Sequence, residues 1–201
     1  MKDDGNDIFN LADEQAQPVA GSLLVAKPTV LDGYFMRSVV LLATHSEAEG
    51  SMGVVMNHFT GYMLGEVLEE LDPGKNIPLY LGGPVGNDSI FYVHTLPPEV
   101  VPNSLALGDG LYFGGNYEAV RHYLEQGGPT VGVMKFMLGY SGWAEGQLAD
   151  EVSRHDWAVL EHMPTAALMS DVDEEVWADA VAQFGRRYRL WQNWPVNPND
   201  N

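Results

Sequence analysis

Apolar residues fall in short uninterrupted runs along this chain, and polar residues gather between the runs. Residues 22–26 (SLLVA), 38–44 (SVVLLAT) and 52–57 (MGVVMN) are too short for helices and rich in branched side chains. Bounded by turn residues, they predict strands buried on both faces. Pro28 ends the first run, Asp32-Gly33 turns the chain, and residues 46–51 form a polar loop. The period changes at residues 64–71 (LGEVLEEL), where apolar positions 64, 67, 68 and 71 predict a short helix stopped by Asp72-Pro73-Gly74. Strand signals return at 78–81, which runs into Gly82-Gly83-Pro84, and at 89–95 (SIFYVHT), before a loop with Pro97, Pro98 and Pro102. A brief strand at 111–113 precedes Asn116, the expected N-cap of a helix over 117–126 that ends at Gly127-Gly128-Pro129. Residues 130–140 predict a long strand, 146–154 a helix, 157–160 a strand and 166–169 a further short strand. Asp173 is the expected cap of a last helix over 174–184, with Glu174 and Glu175 against its N-terminal dipole. The elements mix without a βαβ rhythm, which predicts an α+β fold rather than a doubly wound sheet.

The ends read differently from the middle. Residues 1–17 are polar and acidic and are expected to form a mobile tail, and 193–201 (NWPVNPNDN) a loose end. No Ser/Gly-rich linker or long repeat divides residues 18–192, which are expected to fold as one domain. At 45% hydrophobic and 19% charged residues the chain has the material for a packed core, so intrinsic disorder is excluded. The first residues lack the basic and apolar regions of a secretory signal, and no apolar run approaches the roughly 18–20 residues of a membrane span. Zero cysteines exclude disulfides, thiolate metal sites and cysteine nucleophiles, and the expected compartment is the cytoplasm.

Charge narrows the partners. Ten basic residues against 28 acidic ones give −18, and the stretch before Gly21 supplies only five of those carboxylates against Lys2. Acidity therefore belongs to the folded part, which repels nucleic acid and anionic membranes alike. Arg186, Arg187 and Arg189 form the one basic cluster, read as cations complementing the last helix and an acidic surface, or alternatively as an anion contact.

Two glycine-rich stretches stand out. Residues 138–148 (LGYSGWAEGQL) predict a strand, a bend and a helix, a place where backbone N–H groups can meet an anion. A serine nucleophile elbow needs glycine at 143, where Trp143 stands. In the architectural reading Gly139 and Gly142 permit close packing, glycine at 142 supplies a backbone conformation that a β-carbon would strain, and Trp143 plugs the core. In the functional reading Tyr140, Ser141, Gly142, Trp143 and Gln147 meet a ligand or partner. Residues 82–86 (GGPVG) match neither a P-loop nor a dinucleotide fingerprint, and read as a turn where a strand leaves its sheet or as the other half of a site. Histidines 45, 58, 94, 122, 155 and 162 form no metal-binding pair, and the acids at 171 and 173–175 lack the spacing of a calcium loop. The five tryptophans read as core plugs and lids, because nothing basic interleaves with them.

These stretches carry a resemblance. The chain resembles the AlgH/YqgE family of small bacterial proteins, starting at residues 21–42 (GSLLVAKPTVLDGYFMRSVVLL), where the family pattern is a strand, A-x-P, D-x-x-F and a second apolar strand. It continues through MGVVMN, LYLGGPV, LGYSGWAEGQL and a final helix with Trp177, over about residues 21–190. The chain departs from the pattern at His58-Phe59, where the family usually has Arg-Pro, and at Ala149, where it often has Glu. The resemblance implies an α+β fold with a branched, partly barrel-like mixed sheet surrounded by helices, in a cytosolic protein. The family takes its name from a proposed regulator of alginate synthesis in pseudomonads, has no established molecular activity, and accepts Ala at position 141. The expectation is a non-enzymatic regulatory or binding protein, acting on gene expression indirectly through a protein or small ligand. The alternative is an enzyme acting on a small anionic metabolite at the bends 82–86 and 139–147. Candidate binding residues are Asn57, Gly82, Gly83, Pro84, Tyr140, Ser141, Gly142, Trp143 and Gln147. No catalytic residue, metal or cofactor is expected.

Overall fold

Alternate residues of the apolar runs belong to different cores, which is why the runs are continuous. In β1 (Leu23–Ala26), Leu23 and Val25 pack into one cluster while Leu24 and Ala26 pack into another. In β2 (Val39–Ser46), Val39 and Leu41 face the first cluster and Val40 and Leu42 the second. A strand covered on both faces has no polar side to show. The computed structural model describes residues 16–71, 75–185 and 188–194. The expected tail, all but residues 16 and 17, lies outside the described residues, as do Arg186, Arg187, the side chain of Arg189 and residues 195–201.

Further along come β3 (Gly50–Val55), β4 (Phe59–Met63), α1 (Leu64–Val67), β5 (Pro78–Leu81) and β6 (Val85–His94). They are followed by β7 (Leu105–Gly108), β8 (Leu111–Phe113), α2 (Tyr117–Glu125) and β9 (Met134–Trp143). The chain then forms α3 (Gln147–Ser153), β10 (Trp157–Leu160), α4 (Thr165–Leu168), α5 (Asp173–Gln183) and α6 (Arg189–Gln192). The strands make one mixed, ten-stranded sheet in the order β10-β1-β2-β3-β9-β6-β8-β7, with β4 and β5 as a branch off β9. Helix α5 covers one face through Val176, Trp177, Ala180 and Val181, and the Trp177 indole donates to the Ala26 carbonyl at 2.9 Å. Helix α2 closes a third cluster with Val120 and Leu124, and its N-cap Asn116 accepts from the Ala119 N–H at 2.9 Å, as expected.

The branch is the feature that positions the site. The first half of β9 lies between β6, antiparallel, and β5, parallel, with Leu79 opposite Phe136 and Leu81 opposite Leu138. In the second half β3 takes over, pairing Met52 with Gly142 and Ser51 with Trp143. Gly82 makes the handover: its N–H donates to the Leu138 carbonyl at 2.8 Å, and its own carbonyl accepts from Val55 N–H at 2.9 Å. Two stretches of backbone must touch there. A Cβ on Gly83 would sit 2.3 Å from the Tyr140 carbonyl carbon and oxygen, and Gly139 bends the strand with φ +71°.

Several expected elements differ. Residues 139–143 continue the strand, and the bend into α3 falls at 144–146. Gly142 has ordinary strand backbone with only the Tyr140 ring near its Cβ position, at 3.2 Å, so the conformation expected of Gly142 belongs to Gly139. In place of the strand expected at 166–169 the chain forms a helical turn at 165–168, because Pro164 presets the entry and Thr-Ala-Ala-Leu sustains a turn that buries Leu168. Asp173 is not the cap of α5: Val172 holds that position, and the Asp173 carboxylate accepts from the Phe59 N–H at 2.6 Å. Helix α1 stops at Val67, while Leu68, with extended backbone, and Leu71, after a turn, reach the same cluster as Leu64. No helix among the described residues is long and apolar enough to cross a membrane.

Candidate functional site

The two glycine-rich stretches meet, but they leave no room between them. Ser141 is buried, and its hydroxyl donates to the Gly82 carbonyl at 3.1 Å. Gly82, Gly83 and Ser141 thus form the packed joint of the branch. An attacking serine cannot be made from a hydroxyl enclosed by backbone.

Beside that joint the chain opens a cavity of about 580 Å³. Its walls include Pro84, Gly142, Trp143 and Gln147, four of the sequence-derived candidates, together with the loop after β1 and the residues between α3 and β10. Trp143 is buried, as expected of a core plug, and its indole N–H donates to Glu151 Oε2 at 2.8 Å. Trp157 donates to the same oxygen, also at 2.8 Å, and the two rings meet edge to face at 6.1 Å. Gln147 Nε2 donates to the other Glu151 oxygen at 2.9 Å, while Gln147 Oε1 accepts from Ala144 N–H, so this residue joins the bend to the clamp. Phe35 packs edge-on against Trp157 at 5.3 Å and extends the apolar wall.

Two polar groups in this cavity lack partners. Lys27 is 7% exposed as a residue, and among the described residues its ammonium makes no hydrogen bond or ion pair and reaches the cavity surface. Burial pushes its ammonium below the usual lysine range, and Asp156 partly offsets that. His155, also in the wall, holds a left-handed backbone at φ +61°, and its buried Nδ1 has no hydrogen-bond partner among the described residues. Buried polar atoms are paired in the great majority of cases, so the sealed Nδ1 of His155 is an exception, whereas the Lys27 ammonium is open to whatever fills the cavity.

On the other side of Trp143 lies a shallower groove of about 850 Å³, whose wall contains Tyr140, Val85 and Phe91. Here His45 Nδ1 is 2.7 Å from Ser51 Oγ, across the β2–β3 pair. Among the described residues no carboxylate bonds the other nitrogen of that ring.

Asn57 belongs to neither cavity. Its side-chain oxygen accepts from Val39 N–H at 2.8 Å and its amide donates to the Arg37 carbonyl at 2.9 Å, so it ties β2 to the chain after β3. It is part of a buried polar cluster around Lys135, which is 2% exposed, donates to the Met56 carbonyl at 2.8 Å and lies 4.4 Å from the centre of the Tyr80 ring. Burial brings the Lys135 ammonium down to about 8, against attraction from Asp173 and Asp171. Burial likewise raises the Asp173 carboxyl, although the Phe59 N–H and Lys135 pull it back, and lowers His58 against its bond to the Met36 carbonyl.

The residues that complete the cavity were not among the candidates read from sequence: Lys27, Phe35, Glu151, His155 and Trp157. Glu151 lies one helical turn after Gln147, the i, i+4 spacing that puts both on one face, so half of the clamp had a visible signal. Nothing local linked Lys27 to Trp143, 116 positions away. Among the described residues no group of His, Asp and Glu is arranged to hold a metal.

Fold and site together define a class: an α+β protein with a branched sheet, whose branch point supports a polar, tryptophan-walled cavity. The chain belongs to the AlgH-like family (DUF179), whose model matches residues 23–189. It is 41% identical over 191 residues to a UPF0301 protein of Parabacteroides distasonis, covering 95% of this chain and 96% of that one. Among solved structures it is similar to protein DIP2367 of Corynebacterium diphtheriae, at TM-score 0.74 and 31% identity over 92% of this chain and 96% of that one. It is also similar to the AlgH protein of Pseudomonas aeruginosa, at TM-score 0.67 and 32% identity over 88% and 95% of the two chains.

Proposed function

We propose that this protein works by binding rather than by catalysis, holding a small ligand in the cavity between Lys27 and the Trp143–Glu151–Trp157 clamp. The observation that carries this reading is the Lys27 ammonium, which has no bonded partner among the described residues and opens into a concavity of ligand size. The stem of Lys27 is buried and its ammonium partly desolvated, so a bound acceptor gains more there than at an open surface. The cavity wall holds no serine that could act as nucleophile, since Ser141 is sealed behind it. Ligand occupancy is then passed to a protein partner in the cytoplasm, with nucleic acid disfavoured by the charge of −18.

The test uses ¹⁵N-labelled protein and its indole N–H resonances. A fragment screen should give hits that shift the Trp143 and Trp157 resonances, and mass spectrometry of the protein taken from its own cells under native conditions should show a bound small molecule. Hits that avoid both tryptophans would remove this reading. A second reading, a hydrolase, has one observation in its favour: the 2.7 Å contact between Ser51 and His45 in the neighbouring groove. Turnover of ester or phosphoester substrates that is lost in Ser51→Ala would put that reading first.

A further inference from the structure

The charges around the cavity narrow the ligand further. Lys27 asks for an anion, but the wall as a whole does not. It carries two cations, Lys27 and Arg154, against three carboxylates, Asp32, Glu151 and Asp156. Arg154 is already engaged, with its guanidinium 3.1 Å from Asp156, so Lys27 is the cation left for a ligand. A phosphate dianion placed there would meet more negative charge than positive, on a protein that is strongly acidic overall. A carboxylate alone would satisfy Lys27 and still face the acids.

We propose, on the basis of the ligand-binding reading above, that the cavity takes a small zwitterion with a large apolar or aromatic side chain, such as a free α-amino acid. Its carboxylate pairs with Lys27. Its ammonium meets the acidic side of the wall, where Asp32 has one oxygen taken by the Tyr34 N–H and Glu151 is held in place by the indoles and Gln147. The side chain lies against Phe35, Val30 and Trp157, the apolar part of the same wall. A ligand of this kind leaves each ionised group facing its opposite, which neither a monoanion nor a polyanion does.

The experiment is a titration of the full chain with four probes: L-phenylalanine, 3-phenylpropionate, 2-phenylethylamine and inorganic phosphate. Indole N–H resonances and tryptophan fluorescence report binding, and Lys27→Met is run in parallel. L-phenylalanine should shift Trp143 and Trp157 and bind at least tenfold more tightly than either singly charged analogue, and Lys27→Met should lose at least tenfold in affinity with its remaining resonances unmoved. If 3-phenylpropionate binds as well as L-phenylalanine and depends on Lys27, the zwitterion proposal falls while the ligand-binding reading stands. Tighter binding by phosphate overturns it in the same way. If no probe moves either indole, the proposal is likewise wrong, and the fragment screen decides the broader reading separately.

Discussion

Among the described residues two lysines are largely buried, and they are buried on different terms. Lys135 enters the core from the first half of β9 and is surrounded by partners: a carbonyl at 2.8 Å, an aromatic face at 4.4 Å, and two carboxylates near enough to favour its charge. Lys27 follows β1, is nearly as hidden, and has no bonded partner among the described residues. A buried charge that its own fold satisfies is part of the architecture. One that the fold leaves without a bonded partner, at the wall of a cavity, is open to a ligand. The same distinction separates Ser141, whose hydroxyl is spent on Gly82, from Glu151, whose carboxylate is positioned by two indoles at the cavity edge.

The sharpest way to break this comparison is to truncate both lysines. Lys135→Ala should lower unfolding stability by about 3–5 kcal/mol, because it leaves Asp173 without its cation and opens a void beside Tyr80. Lys27→Ala should stay within about 1 kcal/mol of the parent, since its ammonium has no bonded partner to lose and only the packing of its stem is removed. Urea denaturation measures both. Equal losses would mean that Lys27 has a structural partner after all.

Glu151→Ala comes next. It leaves two indole N–H groups without their acceptor at a site that water partly reaches, and should cost about 2 kcal/mol. The near-ultraviolet circular dichroism of the tryptophans should change with it. A neutral result would show that the clamp does not hold the two rings.

The Lys135 cluster should also betray itself through pH. Burial holds its ammonium at about 8 in the folded chain, against an ordinary lysine's 10.5 in the unfolded one. Between those values the unfolded chain binds more protons, so stability rises with pH. From pH 8 to 10 the gain should be about 2 kcal/mol. Above pH 10 the raised Tyr80 works in the opposite direction, because the unfolded tyrosine ionises first. Comparing the parent with Lys135→Met isolates the lysine from Lys27, which shifts in the same direction. An identical slope in the two proteins would remove Lys135 as the source.

A small effect is expected at Ser141 as well. Its partner carbonyl on Gly82 already accepts from Val55 N–H, so Ser141→Ala orphans nothing and should cost about 0.5–1.5 kcal/mol. A larger loss in chemical denaturation would mean that the hydroxyl holds the branch together.

Much of this was written into local sequence. Runs such as SLLVA and SVVLLAT name their strands because branched, continuously apolar segments have few other uses, and Asn116 announces its helix through a side chain acting three residues ahead. The buried tryptophan at 143, with a partner for its N–H, also followed from residue type alone. Other features depended on contacts that no window of sequence contains. Asp173 reads as a cap until Phe59, 114 positions earlier, claims its carboxylate. Residues 166–169 read as a strand until Leu168 is seen to bury more effectively from a helical turn. Gly139, not Gly142, takes the left-handed bend because a second backbone arrives beside it from Gly83 and Val85. The cavity itself brings together the loop after β1, the end of β9 and the start of β10, and only the branching of the sheet makes those three neighbours. Hydrophobic pattern and turn chemistry act over a few residues, whereas the partner of a buried charge is chosen by whatever the tertiary fold delivers to it, and for Lys27 it delivers an opening.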